Sequence, residues 1–315
     1  MEKARVLVTG GAGFIGSHLC DALLADGHEV VIVDNLCTGK KENIPAGAEF
    51  HQIDICSEDE IAALFAKGNL TAVCHFAAQN DVRTSVTRPE FDAQVNVVGS
   101  VNLLQNCVKH TVPRFVFAST GGAIYGEAKS LPVDETHPTN PEAPYGITKR
   151  TVEHYLRYYA ATYELQTRAL RLGNVYGPRQ DPYGEAGVIA IFSGAMLEGR
   201  PSAIFGDGEQ LRDYIYVWDV VTAFLRALQS PPGEPVNIST GVGTSVNEIY
   251  WRLAAMLGYS EAPEYAPKRP GEIERIYLDN HRAQRELNWV PRVTFEEGIV
   301  ETANWFRQHH RAQKP

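Results

Sequence analysis

Two side chains that could move a proton lie four residues apart, at Tyr145 and Lys149. Residues at this spacing share one face of a helix, so the phenol and the ammonium group would face the same ligand. A nearby cation stabilises a phenolate and lowers the pKa of the phenol, which suits the tyrosine to proton transfer. Because Tyr and Lys also occur at this spacing on ordinary helices, the pair needs a second signal.

A glycine-rich turn near the N-terminus supplies that signal. The segment 11–16 reads GAGFIG, follows the apolar run 6–8 and precedes a helical pattern. Glycines let the backbone approach a pyrophosphate, and the N–H groups and dipole of a helix N-terminus favour its negative charge. Glycines also occur at such turns for backbone geometry alone. The residues that follow must therefore show whether this turn binds a phosphate.

An acidic residue at the end of the next apolar run favours a dinucleotide. The run 30–33 (VVIV) ends in Asp34. A carboxylate at the tip of the second strand accepts hydrogen bonds from both ribose hydroxyls and would repel a 2′-phosphate. The sequence therefore predicts dinucleotide binding and favours NAD, while Lys40 and Lys41 leave NADP as an alternative.

The composition narrows the class of protein. The chain has 315 residues, 44% of them hydrophobic, which is enough for a large core in one unit or in two that share an interface. A net charge of −9 argues against nucleic-acid and membrane partners. No apolar run approaches membrane-spanning length and no signal-peptide pattern is visible, so we expect a cytoplasmic protein. The cysteines and histidines lack metal-ligand spacing, which predicts reduced thiols and no metal.

Strand-like and helix-like segments alternate through the first half of the chain. The strands are continuous apolar runs, as expected when helices cover both faces of a sheet. Strands are predicted near 5–8, 29–33, 49–53, 72–76, 114–118 and 168–172, and helices near 17–25, 58–66, 91–108 and 145–162. This order predicts an α/β fold, a Rossmann-type doubly wound parallel sheet with ligands beyond the carboxyl ends of its strands.

After about residue 175, Pro, Gly and short apolar pieces dominate. A strand tip with a helix is predicted near 213–228, a strand that could rejoin the sheet near 236–238, and helices near 246–257, 282–287 and 295–309. We expect an NAD-binding Rossmann domain of residues 1–175 and about 213–241. The segments 176–212 and 242–315 would then form a smaller, discontinuous C-terminal substrate lobe.

Within this fold, the fifth predicted strand ends in Ser119 and Thr120, whose hydroxyls could hydrogen-bond a reacting substrate oxygen. Together with the dinucleotide turn, these hydroxyls and the Tyr-Lys pair predict a catalytic site. The motifs resemble the extended short-chain dehydrogenase/reductase family over essentially the whole chain. They are the segments 9–16, 34–36, 76–78, 119–120, 145–149, 171–178 and 212–214, and Asn96.

The resemblance is strongest to the nucleotide-sugar epimerases of the UDP-galactose (UDP-glucose) 4-epimerase group. It implies bound NAD that is recycled rather than consumed, and a UDP-sugar substrate. The implied cofactor-binding residues are Gly10, Gly13, Phe14, Ile15, Gly16, Asp34, Asn35, Asp54, Ile55, Phe76, Ala77, Ala78, Asn96, Tyr145 and Lys149.

The same resemblance bears on the active hydroxyl and on the reaction. The group usually reads SSATVYG where residues 119–126 read STGGAIYG, with one glycine more. Thr120 lies at the family's distance from Tyr145, and Ser119 is the alternative. Related 4,6-dehydratases carry Asp-Glu after the hydroxyl and UDP-glucuronate decarboxylases a Glu. The two glycines here provide no carboxylate for elimination, which favours epimerisation.

Residues of the second lobe resemble the nucleotide-sugar half of such a site. Arg212 and Arg269 resemble diphosphate-binding arginines, whose guanidinium groups suit bidentate contacts with phosphate. The other implied substrate-binding residues are Asn174 at the diphosphate or sugar, Val188, Ile204 and Phe205 around the uracil, and Glu272 at a ribose hydroxyl. The structural alternatives are surface arginines and ordinary core residues.

The sugar is the least determined part of the prediction. Ile276 lies where the family places a residue that lines the sugar pocket, and it is intermediate in size between the open and restricted forms. Asp181 occupies a position where the related glucuronate epimerases carry an arginine, and it would repel a carboxylate. We therefore expect UDP-glucose and UDP-galactose as the main pair, weaker N-acetylhexosamines and no UDP-glucuronate.

Three functions follow in order of preference. The first is NAD-dependent 4-epimerisation of a UDP-hexose through a transient 4-keto intermediate. The alternatives are a related nucleotide-sugar reductase or dehydrogenase and a non-catalytic NAD-binding regulator, against which the intact Tyr145 and Lys149 argue. The helices near 91–108 and 145–163 are apolar on more than one face, and family members often pair these helices, so we expect a homodimer.

Overall fold

The computed structural model describes residues 3–183, 187–268 and 273–312. The strands are β1 (Arg5–Thr9), β2 (Glu29–Val33), β3 (Glu49–His51), β4 (Ala72–His75), β5 (Arg114–Thr120), β6 (Gln166–Leu172), β7 (Asn174–Tyr176), β8 (Ala203–Phe205), β9 (Leu211–Tyr216), β10 (Val236–Ile238), β11 (Gly243–Ser245), β12 (Glu264–Ala266) and β13 (Arg275–Ile276). The helices are α1 (Phe14–Ala25), α2 (Glu58–Ala66), α3 (Val82–Thr87), α4 (Pro89–Ala93), α5 (Gly99–Lys109), α6 (Gly121–Ile124), α7 (Pro144–Tyr163), α8 (Val188–Leu197), α9 (Val217–Gln229), α10 (Val246–Leu257), α11 (His281–Leu287) and α12 (Phe295–Ala312).

Seven strands form one sheet in the order β10-β6-β5-β4-β1-β2-β3, and every neighbouring pair is parallel. The strand order reverses between β1 and β4, which is where open sheets of this type bind ligands. The predicted doubly wound Rossmann-type sheet is confirmed, and the strand at 236–238 rejoins it beside β6.

Helices cover both faces of this sheet, which explains why its strands are apolar on both sides. Leu19 and Leu23 of α1 and Phe224 of α9 pack with β1 and β6 in one core cluster. Leu103 of α5 and Val152 of α7 pack against the opposite face. Helices α1 and α7 thus lie on opposite faces of the sheet, and both begin near its carboxyl edge.

The second half of the chain builds a small sheet of its own. Strand β9 lies between β11 and β13 and also pairs with β7, while β12 pairs with β8. A third core cluster joins β7, β8 and β9 to α8, α10 and α12. Strand β9 therefore belongs to the small sheet, whereas the helix that follows it packs on α1. The domain boundaries stay a prediction.

None of the helices in the described ranges is long and apolar enough to cross a membrane. All five cysteines are free thiols.

Candidate active site

The glycine turn after β1 is packed too closely for side chains. Gly10 has φ +70°, and a Cβ there would lie 2.7 Å from the backbone nitrogen of Ala77. A Cβ on Gly16 would collide with the carbonyl oxygen of Gly10. Helix α1 begins after Gly13, and no side chain caps it. The first N–H groups of a helix have no intrahelical partner, so this turn presents donors to an anion.

The predicted ribose acid lies beside this turn. Asp34 is 7% exposed, and its carboxylate accepts hydrogen bonds from the N–H groups of Ala12 (3.0 Å) and Leu36 (2.8 Å). Burial raises the pKa of Asp34, and the two N–H donors oppose that rise. The hydrogen bonds hold the carboxylate at the edge of the cleft, where its remaining lone pairs can accept hydroxyl groups.

A cleft with a volume of about 250 Å³ joins the turn to the catalytic pair. It is lined by every predicted cofactor-binding residue except Asn96, and by Ser119. Residues that line it without having been predicted are Val33, Cys37, Thr38, Ile53, Asn80, Val95, Ala118 and Leu172. Most of these lie at or just beyond the carboxyl ends of parallel strands, and that position is the signal that would have identified them.

Two polar side chains that line the cleft, Asn35 and Asp54, are hydrogen-bonded to each other. The Asn35 amide donates to Oδ2 of Asp54 at 2.9 Å, and the backbone N–H of Cys56 donates to Oδ1 at 2.9 Å. Burial opposes ionisation of Asp54, but these donors lower its pKa below the usual value. The Asp54 carboxylate is therefore ionised and hydrogen-bonded where it lines the cleft beside Ile55.

Lys149 is anchored against the sheet. Its ammonium group donates a 2.9 Å hydrogen bond to the carbonyl oxygen of Ala118 and lies 4.7 Å from the ring centre of Phe117. It is 5.8 Å from the ring centre of Tyr145. Burial lowers the pKa of Lys149 to about 8, and the carboxylate of Asp92 opposes that shift. Lys149 is therefore a cation at pH 7 that loses its proton at a lower pH than an exposed lysine does.

Tyr145 differs from the expectation drawn from its spacing. Burial in the cleft and the charge of Asp92 raise the pKa of its phenol. The Lys149 ammonium lies 5.8 Å from the ring centre and donates to Ala118, and its charge does not outweigh these effects. A depressed phenol pKa therefore requires a further positive charge in the cleft.

The two candidate hydroxyls at the end of β5 have different surroundings. The Ser119 hydroxyl donates to Oε1 of Glu153 at 2.7 Å. Thr120 ends the strand, precedes α6 and is half-buried. Arg171 also donates to both oxygens of Glu153, at 2.9 and 2.7 Å. Sequence reasoning missed Glu153, although it lies one helical turn beyond Lys149.

Asn96 is the predicted cofactor residue that the structure does not bring to the cleft. Its amide is 2% exposed and donates to the carbonyl oxygen of Gln79 at 2.9 Å and to Asp92 at 3.1 Å. The backbone N–H of Gln79 donates in return to Oδ1 of Asn96 at 2.8 Å. Asn96 thus holds the loop after β4, and any direct contact with a cofactor stays a prediction.

The predicted substrate residues are dispersed over several elements of the second half of the chain. Asn174 faces α6, with its Oδ1 3.4 Å from the place of a Cβ on Gly122. Arg212 of β9 donates to the carbonyl oxygen of its neighbour Leu211 at 2.9 Å. Val188 begins α8 and is half-buried. Arg269 and Glu272 lie outside the described residues.

The apolar substrate candidates differ in burial. Ile204 is 1% exposed in the core of the second lobe, while its neighbour Phe205 is half-buried. Ile276 is 2% exposed and packs with Ile124 beneath α6. Asp181 accepts a 3.1 Å hydrogen bond from the backbone of the residue two further along. These placements leave the substrate roles as predictions.

The fold and the cleft define a Rossmann-type, dinucleotide-dependent enzyme with a Tyr-Lys pair. No group of three potential metal ligands occurs among the residues that the structure describes. The chain belongs to the NAD dependent epimerase/dehydratase family, whose model matches residues 6–239. This confirms the resemblance predicted from the motifs.

Three known proteins illustrate the similarity. The chain is 46% identical over 306 residues to a putative UDP-glucose 4-epimerase of Methanocaldococcus jannaschii, covering 97% of this chain and 99% of that protein. It resembles a UDP-glucose 4-epimerase of Thermotoga maritima solved with UDP-glucose, with TM-score 0.96, 47% identity, and coverage of 97% and 99%. A Thermus thermophilus UDP-glucose 4-epimerase solved with NAD gives TM-score 0.91, 46% identity, and coverage of 96% and 99%.

Proposed function

We propose that this chain is an isomerase that interconverts UDP-glucose and UDP-galactose, with NAD as a recycled cofactor. One observation carries the proposal: the Tyr145 and Lys149 pair lines one cleft together with the glycine turn, Asp34 and Ser119, and Thr120 follows Ser119 at the end of β5. The names of the similar proteins support the same reaction. The two glycines after Thr120 argue for epimerisation over elimination.

The cleft residues fit NAD. The closely packed glycine turn and the N-terminus of α1 would hold the pyrophosphate, and Asp34 would hold a ribose. Phe76 and the two alanines after it line the cleft between the turn and Tyr145. When bound, NAD⁺ would supply reversible hydride transfer at C4 of the sugar and a positive charge beside Tyr145.

The chain's own residues would remove and return the proton of the 4-hydroxyl group. Tyr145 would take the proton of the 4-hydroxyl as the C4–H bond breaks, and return it when that bond forms again on the other face. Lys149 would keep positive charge beside the developing phenolate. Thr120 would donate a hydrogen bond to the substrate oxygen. The proton and the hydride both return to the sugar, so no net oxidation results.

The geometry after β5 disfavours the dehydratase branch of the family. A Cβ on Gly121 would collide with Leu278, so an acidic side chain there needs rearrangement. At Gly122 a Cβ would meet only Asn174, at 3.4 Å, but the glycine supplies no carboxylate. A nucleotide-sugar reductase or dehydrogenase stays the alternative, because such an enzyme needs no elimination acid.

The proposal extends to the assembly and the location of the protein. Exposed apolar side chains continue across neighbouring helices, with Val86 61% exposed on α3, Val98 45% exposed before α5, and Ile147 and Tyr158 50% and 51% exposed on α7. Water contact with such a surface is unfavourable, so a second copy of this chain would cover it in a homodimer. The free cysteines support a reducing, cytoplasmic location.

The cofactor cycle tests the function. Protein denatured after purification should release NAD, and turnover of UDP-galactose should yield UDP-glucose with no net change in absorbance from NADH. Stoichiometric consumption or production of NADH during turnover would overturn epimerisation in favour of the reductase or dehydrogenase. Binding of NAD with no turnover of any UDP-sugar would instead favour a non-catalytic protein.

A further inference from the structure

A buried carboxylate lies beside the catalytic pair and has no part in the proton transfer described above. Asp92 of α4 is fully buried, at 0% exposure. Its charge acts on both Tyr145 and Lys149. Burial of a carboxylate is unfavourable unless hydrogen bonds and an opposite charge compensate it. Its partners therefore show what the carboxylate stabilises.

Each oxygen of Asp92 binds a different element. Oδ2 accepts a 2.7 Å hydrogen bond from the hydroxyl of Thr148, which lies on α7 between the two catalytic residues. Oδ1 accepts from the amides of Gln79 at 2.8 Å and Asn96 at 3.1 Å. Gln79 lies in the loop after β4, next to Ala78 of the cleft. The carboxylate thus joins the first turn of α7 to a wall of the cofactor cleft.

The helix that carries Asp92 is distorted at this point. A π-helical segment, Gln94–Val98, separates α4 from α5 and contains Asn96. The Asn96 amide also donates to the hydroxyl oxygen of Thr148 at 3.2 Å. Single π-helical turns inside α-helices occur frequently at functional sites. Asp92 and Asn96, which are four residues apart beside this turn, thus contact the same threonine of α7.

The charges around the pair follow from this arrangement. The Asp92 carboxylate opposes the effect of burial on Lys149 and adds to that effect on Tyr145. Lys149 also acts on His75 of β4, and burial lowers the pKa of His75 to about 3. His75 is therefore neutral, held between Thr9 and Ser100 at 2.7 and 2.9 Å. Asp92 supplies negative charge that acts on both members of the pair.

We propose that Asp92 is a positioning residue for the epimerisation: its carboxylate fixes the first turn of α7 to the loop after β4 and balances the ammonium charge of Lys149. The proposal rests on the proposed function for its kinetic test. It predicts that loss of the charge changes the pH range of catalysis, whereas loss of the hydrogen bond from Thr148 changes only the rate.

Asp92→Asn removes the negative charge of the side chain and keeps its shape. The asparagine oxygen would accept from Gln79 and Asn96, and its NH2 group would donate to Thr148. In the holoenzyme, both limbs of the profile of kcat against pH should move to lower pH by about half a unit or more, because Tyr145 and Lys149 both lose a proton more easily. Glu90→Gln removes an exposed carboxylate from the same helix and should leave both limbs in place.

A second measurement is independent of activity. In holoenzyme labelled with [6-13C]lysine, the resonance absent from Lys149→Met reports the titration of Lys149. Its midpoint should be lower in Asp92→Asn than in the wild type. This result would stand even if the enzyme failed to act on UDP-galactose, so failure of the proposed function is distinguishable from failure of the role of Asp92.

Two results would overturn the proposal. One is an Asp92→Asn enzyme that folds and whose kcat falls while neither the profile nor the lysine midpoint moves, which is the behaviour of a purely structural carboxylate. The other comes from Thr148→Val, which stays informative if Asp92→Asn does not fold. Thr148→Val should lower kcat about tenfold at an unchanged pH optimum, and an unchanged kcat would contradict the positioning role.

Discussion

The Ser119 hydroxyl donates its hydrogen to Oε1 of Glu153 over 2.7 Å, and the same carboxylate is held by Arg171. A hydroxyl has one hydrogen, so Ser119 has none left to donate to a substrate oxygen. Arg150 adds a further hydrogen bond to the carboxylate at 2.8 Å, and these donors, against the effect of burial, lower the pKa of Glu153. The arrangement therefore favours Thr120 over Ser119 as the proposed donor to the substrate.

Replacement of each hydroxyl tests this assignment. We expect Thr120→Val to lower kcat by about 10²-fold, because it removes a donor to the reacting oxygen. Ser119→Ala should keep kcat within about tenfold but lower the free energy of unfolding by about 1–3 kcal/mol, because Glu153 loses a buried donor. Steady-state kinetics and urea unfolding measure the two effects. The opposite ranking of the kcat values would assign the reaction to Ser119.

Tyr145→Phe should remove the proton acceptor and leave the cleft intact. We expect kcat to fall about 10²–10⁴-fold while the protein still folds and releases NAD on denaturation. Circular dichroism and the NAD content provide the controls for folding and cofactor binding. Turnover close to that of the wild type would show that Tyr145 is not the general base.

Asp34→Ala should weaken NAD binding and reduce the preference over NADP, because the variant lacks both the ribose acceptor and the charge that repels a 2′-phosphate. Part of the loss for both cofactors will come from the hydrogen bonds that Asp34 receives from Ala12 and Leu36. The ratio of the two affinities is therefore the decisive quantity. Titration of NAD-depleted protein with both cofactors measures it, and an unchanged ratio would show that Asp34 does not contact the ribose.

The homodimer predicts a site-specific effect of charge. Tyr158→Glu places a carboxylate on the apolar surface of α7, and we expect it to weaken the dimer at least about tenfold. Tyr265→Glu is a matched control, since Tyr265 is 56% exposed in the second lobe and Tyr158 is 51% exposed. Light scattering over a dilution series should detect a dimer in the wild type and the control. A monomeric wild type at micromolar concentration would contradict the proposal.

Substrate preference is the remaining prediction. We expect kcat/KM to be highest for UDP-glucose and UDP-galactose, lower for UDP-N-acetylhexosamines and negligible for UDP-glucuronate, which Asp181 would repel. Steady-state assays of the three pairs under one set of conditions give the ranking. A higher kcat/KM for UDP-glucuronate than for UDP-galactose would overturn the specificity while leaving epimerisation in place.

Much of the fold and of the cofactor cleft follows from local patterns in the sequence. The continuous apolar runs 6–8 and 30–33 occur because helices cover both faces of a parallel sheet, and the order of strands and helices determines its winding. The glycine turn, Asp34 and the Tyr145-Lys149 spacing are likewise local, because each depends on backbone geometry within one strand-turn-helix unit. These features were therefore predictable before the tertiary structure was known.

The tertiary structure decided what depends on partners distant in the chain. Ser119 and Glu153 are 34 residues apart, and Thr148 and Asp92 are 56 apart. No local pattern therefore indicates that the Ser119 hydroxyl donates its hydrogen to Glu153, or that a buried acid accepts a hydrogen bond from α7. Burial and Asp92 likewise raise the pKa of Tyr145, opposite to the effect that its spacing from Lys149 implies. The type of a residue limits the hydrogen bonds and charge interactions that it can make. Which partners it contacts is determined only by the packing of the folded chain.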